Sequence, residues 1–229
     1  MNLSAVSFKG PNPGILALIY MALFITGLSY VVSFSGGPHF PGPYDDPATI
    51  LQYFLTQPKA VMLCAFFQFG SAIPLGIYTA TMVGRMRFLT NNNAGSFITL
   101  FGGFFVAFNI ALSAMILWAL AYPGVAADAG MVRGFYYLSF AIGGVGFSVP
   151  TGLLIAGISV SSGFMRWLPK WMIVSGIILA VIGELSFLDL ISPRFVMLIP
   201  LTRFPGFIWL ILAGFKFPKK QMTGNDFHS

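Results

Sequence analysis

Long apolar stretches separated by short polar connections make up most of the chain. Six of these stretches reach the roughly 20 residues that a helix needs to cross the hydrocarbon core of a bilayer. Because lipid offers no hydrogen-bond partners to the backbone, each stretch is predicted to be a helix. The predicted spans are residues 14–35, 60–83, 96–120, 132–158, 171–190 and 195–215.

The composition excludes an ordinary soluble domain. Hydrophobic residues make up 57% of the chain and charged residues only 8%, whereas soluble domains carry about 25% charged residues. We therefore predict an all-α membrane protein, with residues 1–229 forming one transmembrane domain built as a bundle of six transmembrane helices. Prolines recur in the second, fourth and sixth spans, at Pro74, Pro150 and Pro205, and this recurrence suggests three helical hairpins of similar plan.

Basic residues between the spans predict the orientation of the bundle. With the amino terminus inside, eight Lys and Arg residues are cytoplasmic and three are outside, as the positive-inside rule requires. The inner set is Lys9, Arg85, Arg87, Arg166, Lys170, Lys216, Lys219 and Lys220, and the outer set is Lys59, Arg133 and Arg194. We therefore expect a protein of the cell membrane whose two termini both lie in the cytoplasm. This asymmetry accounts for the net charge of +6. The expected partner is therefore the lipid bilayer, and no nucleic-acid partner is expected.

The longest predicted connection is an outer loop over residues 36–59. Its first half is rich in the turn formers Gly and Pro. Its second half is predicted to be a short helix with Asp46 as N-cap and Pro47 as the first helical residue. Ile50, Leu51 and Phe54 would share one face of that helix, which we expect at the membrane surface.

Two ionisable residues, Glu184 and Arg203, lie within predicted spans, where a charge is costly and indicates a functional site. Glu184 lies about 20 Å from the inner face and Arg203 about 12 Å below the outer face. In a core about 30 Å thick these depths nearly coincide. Because the fifth and sixth helices share a short connection, we predict an ion pair between the two residues.

Small residues at four-residue spacing predict where helices approach one another. The second helix carries such a ridge that includes Gly76, and the fifth helix carries Gly176 and Ala180. Glu184 occupies the next position of the fifth-helix ridge. The carboxyl group of Glu184 is therefore expected to face into the bundle.

Gln68 and Asn109 are expected at a depth similar to that of Arg203, so the sequence predicts a polar layer in the outer half of the membrane. One interpretation is a small pocket, open to the outside, that binds a polar or anionic ligand at Arg203. The other is a buried network whose hydrogen bonds only fix helix register, since such bonds are common between membrane helices. Both interpretations stay open at this stage.

Catalytic chemistry has little support in the sequence. We find no nucleophile with a nearby base, no His pair and no carboxylate cluster, so we predict a non-enzymatic protein with no cofactor and no metal. The expected function is binding of a small ligand, as a sensor or an accessory subunit. The alternative is a small transporter, and a homo-oligomer such as a homodimer or a partner membrane subunit is compatible with either.

Several short motifs resemble one family. They are Asp45-Asp46-Pro47-Ala48-Thr49-Ile50 running into Gln57-Pro58-Lys59, Arg166-Trp167-Leu168-Pro169-Lys170-Trp171, Gly183-Glu184-Leu185, and residues 204–214 near the carboxyl end. Together they are similar to a group of bacterial six-helix integral membrane proteins classed as a domain of unknown function. The resemblance implies the same topology and a bacterial membrane, and it implies no activity.

Overall fold

The computed structural model describes residues 7–32, 39–90 and 94–220. Within these residues the chain forms α-helices joined by short connections, and the connection between the last two α-helices contains two 3-10 turns. The α-helices are α1 Pro13–Ser29, α2 Pro47–Thr56, α3 Pro58–Leu89, α4 Ala94–Leu120, α5 Pro123–Ala126, α6 Ala129–Gly143, α7 Val145–Met165, α8 Lys170–Leu185 and α9 Leu198–Lys216. The 3-10 turns are Ser186–Leu190 and Pro193–Phe195.

Five helical segments are long and apolar enough to cross a membrane: α3, α4, the consecutive pair α6–α7, α8 with its 3-10 turn, and α9 with its 3-10 turn. The apolar helix α1 has 17 residues, about 26 Å at 1.5 Å per residue. Large apolar side chains point outward, such as Phe104 (67% exposed) and Phe164 (83% exposed). Such a surface suits lipid. The prediction of an all-α membrane bundle is confirmed.

The membrane helices form a closed ring. Consecutive helices α1, α3, α4, α7, α8 and α9 are neighbours, and α9 returns to pack against α1. At this closure a Cβ atom on Gly214 would lie 2.5 Å from the backbone nitrogen of Gly14. Beyond it, the amide of Phe8 donates to the carbonyl of Lys219 at 2.8 Å, so both described ends lie at the same end of the bundle. The similarity of three hairpins stays a prediction.

The outer loop folds partly as expected. Asp46 caps α2 by accepting hydrogen bonds from the amides of Ala48 at 3.0 Å and Thr49 at 3.3 Å, and Pro47 is the first helical residue. Both parts of this prediction are confirmed.

The apolar face of α2, which was expected against the membrane surface, is buried in protein instead. Ile50, Tyr53 and Phe54 belong to an apolar cluster with residues of α3, α4 and α6. Aromatic rings explain the attraction, because Phe54 packs edge-on against Tyr136 of α6 with ring centroids 5.6 Å apart. Helix α2 therefore packs directly on the bundle through its apolar face.

The fourth predicted span, residues 132–158, is not one continuous helix. It is interrupted at Gly144, whose φ of −94° and ψ of −87° are not helical. A Cβ atom at Gly144 would lie 2.6 Å from the carbonyl oxygen of Phe140, so the interruption needs a glycine. The fifth span also changes geometry early, because α8 gives way to a 3-10 turn after Leu185.

Small residues mediate some of the predicted helix contacts. On the fifth-helix ridge, a Cβ atom at Gly176 would lie 2.1 Å from the Ser159 hydroxyl of α7, which confirms that ridge. No atom of another helix among the described residues lies within 4 Å of the corresponding position at Gly76, so the ridge on the second span is wrong there. Helices α3 and α4 approach instead at Gly103, which faces Thr79.

Candidate functional site

A cavity of about 270 Å³ lies inside the bundle, between the α2 end and the middle. We call the α2 end the outer end, following the charge-based orientation. The walls come from α1, α3, α4, α6 and α9, and residues Phe40–Pro43 of the outer loop form the roof. The lining is mostly apolar, with the polar side chains of Gln68 and Arg203 among it.

Arg203 forms the inner floor of this cavity. Its guanidinium carbon lies 4.5 Å from the ring centroid of Phe147 and 5.3 Å from that of Phe24, distances at which cations are attracted to aromatic faces. Its Nη2 donates to the carbonyl of Gly143. Its Nε is buried and has no hydrogen-bond partner within the described residues.

The interruption between α6 and α7 supplies the acceptor for Arg203. In a continuous helix, the Gly143 carbonyl would accept from the amide of Phe147. Here that amide donates to Gly144 at 3.2 Å instead, which leaves the Gly143 carbonyl available. A Cβ atom at Gly143 would also lie 2.5 Å from the Ser113 hydroxyl of α4, so this glycine lets the broken segment pack closely.

Asn109 satisfies a second carbonyl that the helix leaves free. Pro150 has no amide hydrogen, so the carbonyl four residues earlier, at Gly146, lacks its helical partner. The Asn109 side-chain amide donates to that carbonyl. A Cβ atom at Gly146 would lie 3.1 Å from the Asn109 nitrogen. Asn109 is therefore committed to the backbone of α7 rather than to the cavity.

The wall between α4 and α6 is polar. The Ser113 hydroxyl donates to the carbonyl of Ser139 at 2.9 Å, and the two hydroxyl oxygens lie 3.1 Å apart. Both serines line the cavity, as does Gln68 of α3. These groups give a bound molecule hydrogen-bond partners above the guanidinium group.

Two hydrogen bonds between the loop and the bundle, and one within the loop, hold the roof in place. Tyr136 donates its hydroxyl to the carbonyl of Pro41, and the Gly42 amide donates to a carboxylate oxygen of Asp45 at 2.7 Å. The Tyr44 hydroxyl donates to the carboxylate of Asp189 at 3.0 Å. Burial, the hydrogen bond to Asp189 and the charge of Asp189 raise the pKa of Tyr44. These contacts hold residues Phe40–Pro43 over the cavity.

The predicted ion pair between Glu184 and Arg203 is wrong. Arg203 lines the cavity, whereas Glu184 lines a separate groove between α7 and α8. The buried oxygen Oε1 of Glu184 has no partner within the described residues and lies against Gly152, whose Cβ position is 3.0 Å away. Gln68 and Arg203 thus share one site, Asn109 lies beside it, and Glu184 lies elsewhere.

The sequence interpretation missed three parts of the site. Neither the roof residues Phe40–Pro43 nor Tyr136 of α6 was predicted to line a cavity. The Gly143–Gly144 interruption had a visible signal, since two adjacent glycines weaken a helix and Pro150 follows within two turns.

Chemically, this arrangement is suited to binding an anion. Among the described residues that line the cavity, Arg203 is the only charged side chain, and the described part of the chain contains no group of three metal-ligating side chains. The fold and the cavity define a multi-pass helical membrane protein with a capped, positively charged interior cavity.

Comparisons with family models, curated proteins and solved structures find no match, so the resemblance to a bacterial family stays a prediction.

Proposed function

We propose that this protein binds a small amphiphilic anion in the cavity above Arg203, reached from the outer side of a bacterial cell membrane. Binding without catalysis suits a sensor or an accessory subunit. The observation that carries the proposal is the unpaired guanidinium group in the cavity. A buried cation is costly unless a partner neutralises it, and the contacts of Arg203 with the described residues are one carbonyl and two aromatic faces, with no carboxylate.

The lining supports an amphiphile rather than a simple inorganic ion. Arg203 lies at the inner end, and apolar side chains such as Leu28, Ile110 and Leu117 line the walls between Arg203 and the roof. Pockets of this kind fix orientation with a few polar groups and gain affinity from apolar contact. The anionic head would meet the guanidinium group, and a short apolar tail would fill the remaining volume.

Thermal unfolding of the purified protein in nanodiscs tests this proposal with hexanesulfonate as the probe. The sulfonate stays charged at every working pH, and hexan-1-ol supplies the same chain without the charge. A ligand that binds only the folded state stabilises it by RT ln(1 + [L]/Kd), about 2.7 kcal/mol at a hundredfold excess over Kd. We expect hexanesulfonate to raise the unfolding temperature in a saturable way, and hexan-1-ol to raise it much less.

Two variants separate the cavity from general charge effects. Arg203→Gln removes the guanidinium group from the cavity and should abolish stabilisation by hexanesulfonate. Arg194→Gln removes an exposed arginine at the outer end and should leave the stabilisation intact. Equal stabilisation by the alcohol and the sulfonate, or stabilisation retained in Arg203→Gln, contradicts the proposal.

A small transporter, acting as a homodimer, is the second candidate. The broken helix α6–α7 favours it, because secondary transporters build their midplane sites from interrupted helices. Proteoliposomes preloaded with hexanesulfonate test this candidate by exchange with labelled hexanesulfonate outside. Exchange that requires Arg203 supports transport, whereas binding without exchange supports a sensor or accessory subunit.

A further inference from the structure

Glu184 occupies a second site that the anion cavity does not use. It lies one residue before the end of α8, at a groove of about 300 Å³ between α7 and α8. The other lining residues are Ala156, Val160, Ile177, Ala180, Val181 and Leu185. Every one of these neighbours is apolar, and the buried carboxylate oxygen Oε1 of Glu184 lies against Gly152 of α7 with no hydrogen-bond partner among the described residues.

The groove opens toward lipid rather than toward the cavity. Val181 and Val160, which flank it on α8 and α7, are 52% and 45% exposed on the outer surface of the bundle. Of the described acidic residues, only Glu184 lies within an α-helix. Glu184 is about 21 Å from the start of α8 at 1.5 Å per residue, and so lies within a hydrocarbon core about 30 Å thick.

Within residues 7–32, 39–90 and 94–220, no cation of the neighbouring elements is placed against the carboxyl group. Helix α7, Val145–Met165, contains no titratable residue. On α9, Arg203 is turned toward Phe147 and Gly143, and Lys216 lies at the inner end. In the 3-10 turn after α8, Asp189 accepts a hydrogen bond from Tyr44.

An isolated carboxylate in such surroundings is highly unfavourable, and neutralisation by a proton is the usual resolution. We propose that Glu184 is a proton-binding site within the membrane, open to lipid through the α7–α8 groove. The ligand at this site is a single proton, which leaves a neutral carboxylic acid at the wall of the groove. The inference stands independently of the anion cavity.

Dicyclohexylcarbodiimide is a suitable probe, because it dissolves in lipid and reacts with protonated carboxyl groups. The carboxyl proton moves to a carbodiimide nitrogen while a carboxylate oxygen bonds to the central carbon, giving an O-acylisourea. Migration of the acyl group from oxygen to nitrogen then gives a stable N-acylurea. The whole reagent is added and nothing leaves, so peptide mass spectrometry detects the adduct directly.

The experiment uses the full chain in nanodiscs, with Glu184→Gln and Asp189→Asn as a matched pair. We expect one reagent molecule on the peptide containing Glu184, no adduct at that position in Glu184→Gln, and an undiminished adduct in Asp189→Asn. At alkaline pH the rate should fall about tenfold for each pH unit, since only the protonated form reacts.

A water-soluble carbodiimide tests the direction of access in the same protein. It should label Glu184 at least tenfold more slowly than the lipid-soluble reagent does. Failure of dicyclohexylcarbodiimide to modify Glu184 would overturn the proposal, as would equal labelling by both reagents or a rate that does not change with pH. Wild-type peptide mapping alone decides these outcomes even if Glu184→Gln does not fold.

Discussion

The hydrogen bond between Asn109 and the carbonyl of Gly146 makes a specific prediction about stability. We attribute this bond to Pro150, which cannot donate to that carbonyl. Asn109→Ala leaves the carbonyl unpaired in the membrane interior. Pro150→Ala introduces an amide that donates to the same carbonyl, so it should reduce the cost of losing Asn109.

The size of this coupling follows from general magnitudes. An unpaired buried acceptor costs about 1–3 kcal/mol, and hydrogen bonds between membrane helices contribute about 0.6 to 2 kcal/mol. We expect Asn109→Ala to cost about 1–2 kcal/mol in the wild-type background. In the Pro150→Ala background the cost should be about 1 kcal/mol lower, roughly a fivefold change in the unfolding equilibrium constant. The cavity left by the truncation cancels between backgrounds, so the difference isolates the hydrogen bond.

Equilibrium unfolding in mixed micelles, followed by far-UV circular dichroism, measures the free energies of unfolding of the wild type, the two single variants and the double variant. Tyr78→Phe is the matched control, because Tyr78 donates to the carbonyl of Leu210 at 3.2 Å, away from Pro150. Its cost should be the same in both backgrounds. If Asn109→Ala costs as much with Ala at position 150 as with Pro, the assignment of Asn109 to the proline-freed carbonyl is refuted.

Three further results follow from the fold, all measured as unfolding free energies or temperatures. Gly214→Ala, where helices α1 and α9 meet backbone to backbone, should cost about 1–3 kcal/mol by overpacking, whereas Gly76→Ala, in open space, should be neutral or gain up to about 1 kcal/mol from helix propensity; equal effects would contradict the ring closure. The effects of Glu184→Gln and Arg203→Gln on the free energy of unfolding should add within about 0.5 kcal/mol, because the two residues do not touch. Strong coupling between the two substitutions would instead support the ion pair. Burial, the hydrogen bond to Asp189 and its charge raise the pKa of Tyr44, so folding favours the protonated phenol. The hydrogen bond that this phenol donates is present in full below the unfolded-state pKa of about 10 and is lost as the pH rises through the folded-state pKa. Tyr44→Phe should therefore lower stability at pH 8 and narrow its difference from wild type at pH 11, and a difference independent of pH would count against the tether.

The membrane class was predictable because it depends on length and polarity alone. A run of about 20 apolar residues has few alternatives to a spanning helix. Asp46 and Pro47 likewise act through local chemistry, so the start of α2 could be read directly from two adjacent residues. These features need no knowledge of which helices are neighbours.

The prediction of an ion pair was wrong because the depth of a residue in the membrane does not determine the direction in which its side chain points from the helix. Glu184 and Arg203 are at similar depth, but they point to different sides, one toward α7 and the groove, the other toward α6 and the cavity. Rotation about each helix axis is set by close packing, such as that of Gly152 against α8. The roof was missed for a similar reason, since the contact of Tyr136 with Pro41 joins residues far apart in the sequence.

The most direct test of the anion cavity uses Cys64, the only cysteine of the chain, which lies in the cavity wall. Two membrane-impermeant thiosulfonates of similar size, one anionic and one cationic, are added to the outside of intact cells, and the rate of Cys64 modification is measured. The account predicts faster reaction with the anionic reagent, a preference that disappears in Arg203→Gln, and slower modification when hexanesulfonate is present. Equal rates for the two reagents, or a preference that persists without Arg203, would contradict it.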